Sequence, residues 1–94
     1  MATYFMFGKY TPAAIEGVGE DRTRRAIELI EDHGGKVRAI YGLLGQHDVV
    51  LILDLPDTGT AMKISVALHG MTGIAFCTEP AVSVDEFDQL MNGD

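Results

Sequence analysis

Val49-Val50-Leu51-Ile52-Leu53 is the stretch that most restricts what this chain can become. Successive residues of a strand point to opposite faces of a sheet, so a strand made of consecutive apolar residues needs cover on both faces. A chain of 94 residues has room for one small sheet and a pair of helices, and a pair of helices covers a single face. The other face then has to be covered by a second copy of the chain. The run predicts an obligate homodimer, or an even-numbered multiple of it, joined through the sheet, with Val50 and Ile52 as dimer-interface candidates.

Composition limits the partners. Apolar residues make up 47% and charged residues 22% of the chain, the balance of an ordinary folded protein. The whole of 1–94 is expected to form one domain, with fraying in its last residues. Net charge is −7, from 14 acids against 7 bases. Phosphate binding needs clustered Lys and Arg, so neither nucleic acid nor an anionic membrane is expected as a partner. Arg22, Arg24 and Arg25 do cluster, but Glu20, Asp21 and Glu28 surround them, and the stretch reads as a solvated helix face. Cys77 is the only cysteine; set in an apolar strand, it is expected to be a buried, inert thiol. No stretch reads as a signal peptide or reaches the length of a membrane span, and a cytoplasmic location is expected.

Along the chain, Thr3–Tyr10 reads as the first strand, with Tyr4, Met6, Gly8 and Tyr10 on one face and Thr3, Phe5, Phe7 and Lys9 on the other. A short helical turn over Ala13–Val18 leads to a helix over Asp21–His33, whose apolar stripe is Ala26, Ile27, Leu29 and Ile30; Gly34-Gly35 closes it. Lys36–Leu44 and His47–Leu55 read as a hairpin joined tightly at Gly45-Gln46. Asp57 or Thr58 caps a second helix, which Gly70 closes. That helix carries one charge, Lys63, so its outer face is weakly solvated. Thr72–Glu79 is the fourth strand, ended by Pro80. A short terminal helix over about 83–91 is capped by Ser83, with Val84, Phe87, Leu90 and Met91 on its apolar side.

The order β-α-β-β-α-β, with right-handed crossovers, is the ferredoxin-like split βαβ arrangement. It predicts an α+β fold: a four-stranded antiparallel sheet with two helices on one face. Packing of the uncovered face on its copy makes a dimeric α/β barrel.

Several stretches taken together resemble a known family. The chain opens Thr3-Tyr4-Phe5-Met6, carries Thr11 after the first strand, and ends a helix with Gly34-Gly35-Lys36-Val37. It then runs Tyr41-Gly42-Leu43-Leu44-Gly45-Gln46-His47-Asp48-Val49-Val50 and closes at Pro56-Asp57. This resembles the GYD domain family over nearly the whole chain. The family's Gly-(x)-Tyr-Asp signature corresponds to Gly45-Gln46-His47-Asp48, with His47 in the place of the tyrosine. The resemblance implies a ferredoxin-like subunit of a dimeric α/β barrel and no particular reaction.

The Gly45–Asp48 turn is the leading candidate site. Gly45 suits a positive φ, and Asp48 suits bonding to backbone N–H groups across the turn. A chemical role competes with this structural one, because a His beside a carboxylate can shuttle a proton near neutral pH. Adjacent strand residues point to opposite faces, which counts against His47 and Asp48 as a single dyad. Tyr10, Tyr41, His47 and Asp48 are the ligand-binding candidates; Tyr4 and Tyr10 are expected to place their hydroxyls between sheet and helices. His33 and His69 suit helix C-termini, and with His47 they show no metal-ligand spacing. No metal and no cofactor is expected. Gly17-Val18-Gly19 lacks the Lys-Ser/Thr of a phosphate-cradling loop, and no serine stands at a strand-to-helix elbow.

The functional expectation is a homo-oligomeric α/β-barrel domain that binds a small ligand or assembles without evident catalysis, with no catalytic residue identified. The alternative is a small cofactor-independent enzyme of the dimeric-barrel type, a monooxygenase or isomerase using Tyr10, His47 or Asp48. A third reading is an effector-sensing module, like those attached to leucine-responsive regulators, that senses in trans.

Overall fold

The strands richest in large apolar side chains, β1 (Ala2–Lys9) and β3 (Val49–Leu55), take the centre of a four-stranded antiparallel sheet. Its order is β2-β3-β1-β4 in the computed structural model, which describes residues 1–93. The edges are β2 (Lys36–Gly42) and β4 (Ala75–Ala81). A one-turn helix α1 (Pro12–Glu16) and the long α2 (Glu20–Asp32) link β1 to β2, α3 (Thr58–Thr72) links β3 to β4, and α4 (Val84–Asn92) follows β4. This is the ferredoxin-like α+β arrangement expected from the element order.

Periodicity explains the core. Tyr4 and Met6 of β1 and Leu51, Leu53 and Leu55 of β3 alternate onto one face, where they meet Ile30 of α2 and Ala61, Ile64 and Leu68 of α3. The α3 residues recur at the spacing of one helix face. Met6, Ile30, Leu53, Leu55, Ile64 and Leu68 are fully enclosed. Asp57 caps α3 by accepting the Thr60 N–H at 2.7 Å.

Several boundaries differ from the expectation, each for a visible reason. The hairpin is not tight: β2 stops at Gly42 and β3 starts at Val49, leaving 43–48 as a loop. Its Leu43 N–H bonds the Asp48 carbonyl at 2.8 Å, while the Asp48 N–H bonds the Gly8 carbonyl at 2.8 Å. That second bond ties the loop to β1 instead of extending the β2–β3 ladder. Helix α3 runs through Gly70 and stops at the left-handed Gly73. There the Thr72 hydroxyl donates to the Leu68 carbonyl (2.7 Å) and accepts the Ile74 N–H (3.0 Å), closing the last turn. Pro80 lies within β4, a place open to proline because β4 is an edge strand. Cys77 is exposed, not buried, because its position on β4 turns it away from the helices.

Helix α4 forms as expected, with the Ser83 hydroxyl accepting the Glu86 N–H at 3.1 Å. None of its residues is buried, and among the described residues it makes no extended packing contact with another element. The molecule measures 50 × 30 × 19 Å.

Candidate functional site

The register of the four strands turns the side opposite the helices into an ordered surface. One cross-strand row reads Tyr41–Val50–Phe7–Cys77, and the next reads Ala39–Ile52–Phe5–Glu79. A third, Lys36–Asp54–Thr3–Ala81, lies at the polar end. There Asp54 accepts hydrogen bonds from the Thr3 hydroxyl (3.0 Å) and the Arg38 guanidinium (3.1 Å). The centre is apolar: the Phe5 and Phe7 rings lie 6.2 Å apart, and the His47 ring packs 5.0 Å from Phe7. Val50 is only 6% exposed yet stands outside the sheet–helix core; its neighbours on this face cover it. Val50 and Ile52, two residues apart, share this open face, whereas Val49, Leu51 and Leu53 share the helix side.

Between sheet and helices, where β1 runs out towards α1, a cavity of about 60 Å³ remains. Its walls are mostly apolar, including Ile40, Val49, Leu51, Ile74 and Phe76, and its polar groups are Tyr10, Arg22, Thr23 and Thr72. The space is on the order of a few water molecules. The Arg22 guanidinium sits over the Tyr10 ring, 5.5 Å from its centroid, and Nη1 donates to the Ala14 carbonyl at 2.5 Å. Among the described residues no carboxylate pairs with Arg22. By contrast, Arg24 pairs with Asp21 and with Glu28 (3.8 Å), and Arg25 pairs with Asp21 (3.5 Å). Arg24 and Arg25 form the solvated face expected of them; Arg22 does not belong to it.

A second groove, of about 320 Å³, runs between α3 and β4 and includes Tyr4, Met62, Val66 and Pro80. Its hydroxyls are already paired: Tyr4 with Thr58 at 3.1 Å and Ser65 with Thr78 at 2.6 Å. It offers apolar surface but no free polar group for recognition.

The four ligand-binding candidates are not brought together. Tyr10 lines the cavity. Tyr41 is 58% exposed in a row of the open face. His47 packs on Phe7. Asp48 accepts the Tyr10 backbone N–H at 2.8 Å, and Lys9 approaches it at 4.0 Å. Gly45 takes the expected positive φ, +131°, a conformation side-chain-bearing residues rarely adopt. His33 and His69 bond the Leu29 and Ile74 carbonyls through Nδ1, each at 2.8 Å. Among the described residues no group of three or more His, Cys, Asp or Glu could hold a metal ion. The carboxyl of Asp57 is held below its ordinary value first by the Thr60 backbone N–H, then by the Thr60 side chain and by Lys63. That shift marks a helix cap.

The family profile of the GYD domain matches residues 4–91. This chain belongs to the GYD domain family. The match takes in both faces of the sheet, the cavity and the Gly45–Asp48 turn of this GYD domain. No curated protein matches it in sequence. In fold it is similar to the Mycobacterium tuberculosis leucine response regulatory protein LrpA, with TM-score 0.62 and 12% identity over 87% of this chain and 51% of that one. A solved structure of a glutamate-to-alanine mutant is similar to the same degree, with TM-score 0.62 and 13% identity over 87% of this chain and 50% of that one. The GYD chain thus spans about half the length of the solved proteins it matches, and at these identities the likeness is one of fold.

Arg22 is the site residue that sequence reasoning passed over. The signal was present: Arg22, Ala26 and Ile30 recur at four-residue spacing and so lie along one helix face. Composition placed Arg22 with its charged neighbours; periodicity places it with the core stripe.

Proposed function

We propose that this GYD domain is a cytoplasmic self-assembly module, a homodimer or an even-numbered multiple of it, in which two open sheet faces meet and close an α/β barrel. The observation that carries the reading is the apolar centre of the open face, with Phe5, Phe7, Val50 and Ile52 in adjoining rows and no helix over them. A contiguous apolar patch of this kind on a free monomer favours association. The apolar alternation on both faces of β3 has the same meaning: a sheet covered on one side only does not need it. Sedimentation equilibrium of the purified chain tests this. The expected mass is twice 10.2 kDa or a higher even multiple; a monomer at every concentration overturns the proposal.

The cavity favours a second role, binding of a small anionic molecule with a short apolar part. The support is an arginine without a carboxylate partner beside an apolar slot, in a chain of net charge −7. Likeness of fold to half of a leucine response regulatory protein fits a sensing role, with small carboxylates as the class to try. A thermal-shift titration with short aliphatic carboxylates such as acetate and propionate, on the native chain and on Arg22→Gln, is the test. A shift that Arg22→Gln removes supports the role; no shift with any of them, or shifts that survive the substitution, overturns it. The enzymatic alternative uses Tyr10, His47 or Asp48, and a reaction shared between any of their side chains would need them around one space. Tyr10 lines the cavity, His47 lies on the open face and Asp48 is engaged by backbone, so that reading has no common site to work from.

A further inference from the structure

Helix α4 is amphipathic and unpartnered. At about 100° per residue, Val84, Phe87, Leu90 and Met91 fall within an arc of roughly 120°, with Glu86 and Asp88 on its two flanks. All four apolar residues are exposed, Val84 to 70% and Leu90 to 61%. Surface residues do not need such a stripe, and among the described residues the helix makes no extended packing contact with another element of its chain.

We infer that α4 is an exchanged arm: its apolar stripe docks on a second copy of this chain, along that copy's β2 edge. The inference rests on the sheet-to-sheet reading and enlarges the interface that reading gives. Four strands of about seven residues, ~4.8 Å apart and ~3.4 Å per residue, present roughly 450 Å² in projection. A helix of nine residues, ~1.5 Å each and ~10 Å wide, covers on the order of 140 Å² in the same projection. In a two-fold dimer each protomer both gives a helix and receives one, so the arms add roughly twice that per protomer, more than half as much again as the sheet alone.

Charge indicates where the arm lands. The row Lys36–Asp54–Thr3–Ala81 puts the start of β2 and the end of β4 at the same end of the sheet, on opposite edges. A two-fold axis along the strands lays the β4 edge of one protomer over the β2 edge of the other, like end over like end. Only Val82 and Ser83 separate Ala81 from α4. The acidic flanks, Glu86 and Asp88, then face Lys36 of the partner subunit and Arg38 of the partner subunit. Both are exposed, and among the described residues Lys36 has no carboxylate within ion-pair distance. The same acids, in a chain of net charge −7, disfavour an anionic membrane as the occupant.

The test is sedimentation equilibrium on the full chain carrying Phe87→Asp and Leu90→Asp, beside the native chain. Because no residue of α4 is buried in its own chain, the variant is expected to keep the native far-ultraviolet circular dichroism. Its dimer Kd is expected to rise roughly a thousandfold, since each copy loses two large apolar contacts and two-fold symmetry counts them twice. In a second arm, Glu86→Lys with Asp88→Lys weakens the dimer about threefold to tenfold, and adding Lys36→Glu restores it. An unchanged Kd in the first variant overturns the arm while leaving the sheet interface standing. A monomeric native chain overturns both readings. Weakening by the charge reversal without rescue overturns the placement on β2. Loss of binding to phosphatidylcholine vesicles with an unchanged dimer Kd assigns the stripe to lipid and overturns the inference.

Discussion

Ile52→Glu separates the two faces of the sheet. Ile52 stands mid-row between Ala39 and Phe5 on the open face, so a glutamate there points into solvent in a lone protomer and leaves the helix-side core intact. In the dimer it is buried against the other sheet. The lost apolar contact is about 1 kcal/mol per copy for a side chain already half-covered by its neighbours, and an unpaired carboxylate costs several kcal/mol more. Two-fold symmetry counts each term twice. Glu79 in the same row and Asp54 two residues along add like charge. A total of at least about 4 kcal/mol follows, roughly a thousandfold in dimer Kd. Sedimentation velocity across a concentration series reads it, with circular dichroism to show that the monomer stays folded. Leu53→Glu is the control: Leu53 is fully enclosed on the helix side, and its variant is expected to unfold. A native Kd for Ile52→Glu refutes the interface, and unfolding on a par with Leu53→Glu refutes the assignment of faces.

The other predictions concern the cavity, the loop and a helix cap. Gly8→Ala builds a Cβ 2.6 Å from Val49 Cγ1 and 2.8 Å from Ile74 Cγ2, two cavity-wall residues; it is expected to cost ~1–2 kcal/mol and lower Tm by about 5–15 °C in a thermal melt. Asp48→Ala strands the Tyr10 N–H and loosens the 43–48 loop, for about 1 kcal/mol in a partly exposed site; hydrogen exchange at the Tyr10 amide should quicken, and Asp48→Asn, which keeps an acceptor, should quicken it less. Asp57 has a carboxyl held below its ordinary value of 3.8 by the Thr60 N–H, so its charge stabilises the fold above that value and the contribution disappears as pH falls through the lowered one. Asn caps helices well without a charge, so the Tm advantage of the native chain over Asp57→Asn should shrink as pH falls through and below 3.8, and a constant advantage contradicts the assignment.

Much of the fold was legible because periodicity records it. The apolar run of β3, the alternation of β1 and the stripe of α2 each place an element and its buried face, and the order of elements leaves few topologies. What was misplaced depended on tertiary bonds with no local signature. Gly70 reads as a helix end, but Leu68, buried under the sheet, holds that turn in place, and the Thr72 hydroxyl moves the end to Gly73. His47 reads as a strand residue, but the Asp48 N–H is taken by the Gly8 carbonyl across the sheet. Cys77 was assigned by hydrophobicity, which cannot tell one face of a doubly apolar strand from the other. The cavity was hidden for a related reason: it is made by residues from α2, β2, β3, α3 and β4 with Tyr10 and Ile74 beside them, and only Arg22 among them broke a pattern that sequence could display.

The Gly45–Asp48 turn shows how a family signature can be read through backbone geometry. His47 and Asp48 are adjacent, so their side chains leave the chain in different directions, and each is met by β1: His47 by the Phe7 ring on the open face, Asp48 by the Tyr10 N–H at the cavity end. Gly45 supplies the positive φ that lets the loop turn back far enough for both contacts. The loop is therefore a clasp between the end of β1 and the start of β3. An aromatic side chain in the place of His47 can pack on Phe7 in the same way, whereas the Asp48 position needs a short side chain that carries an acceptor, because its partner is a backbone N–H. On this argument Asp48 is the part of the signature that the fold requires. His47, packed on Phe7 of the open face, is the part that another ring can replace.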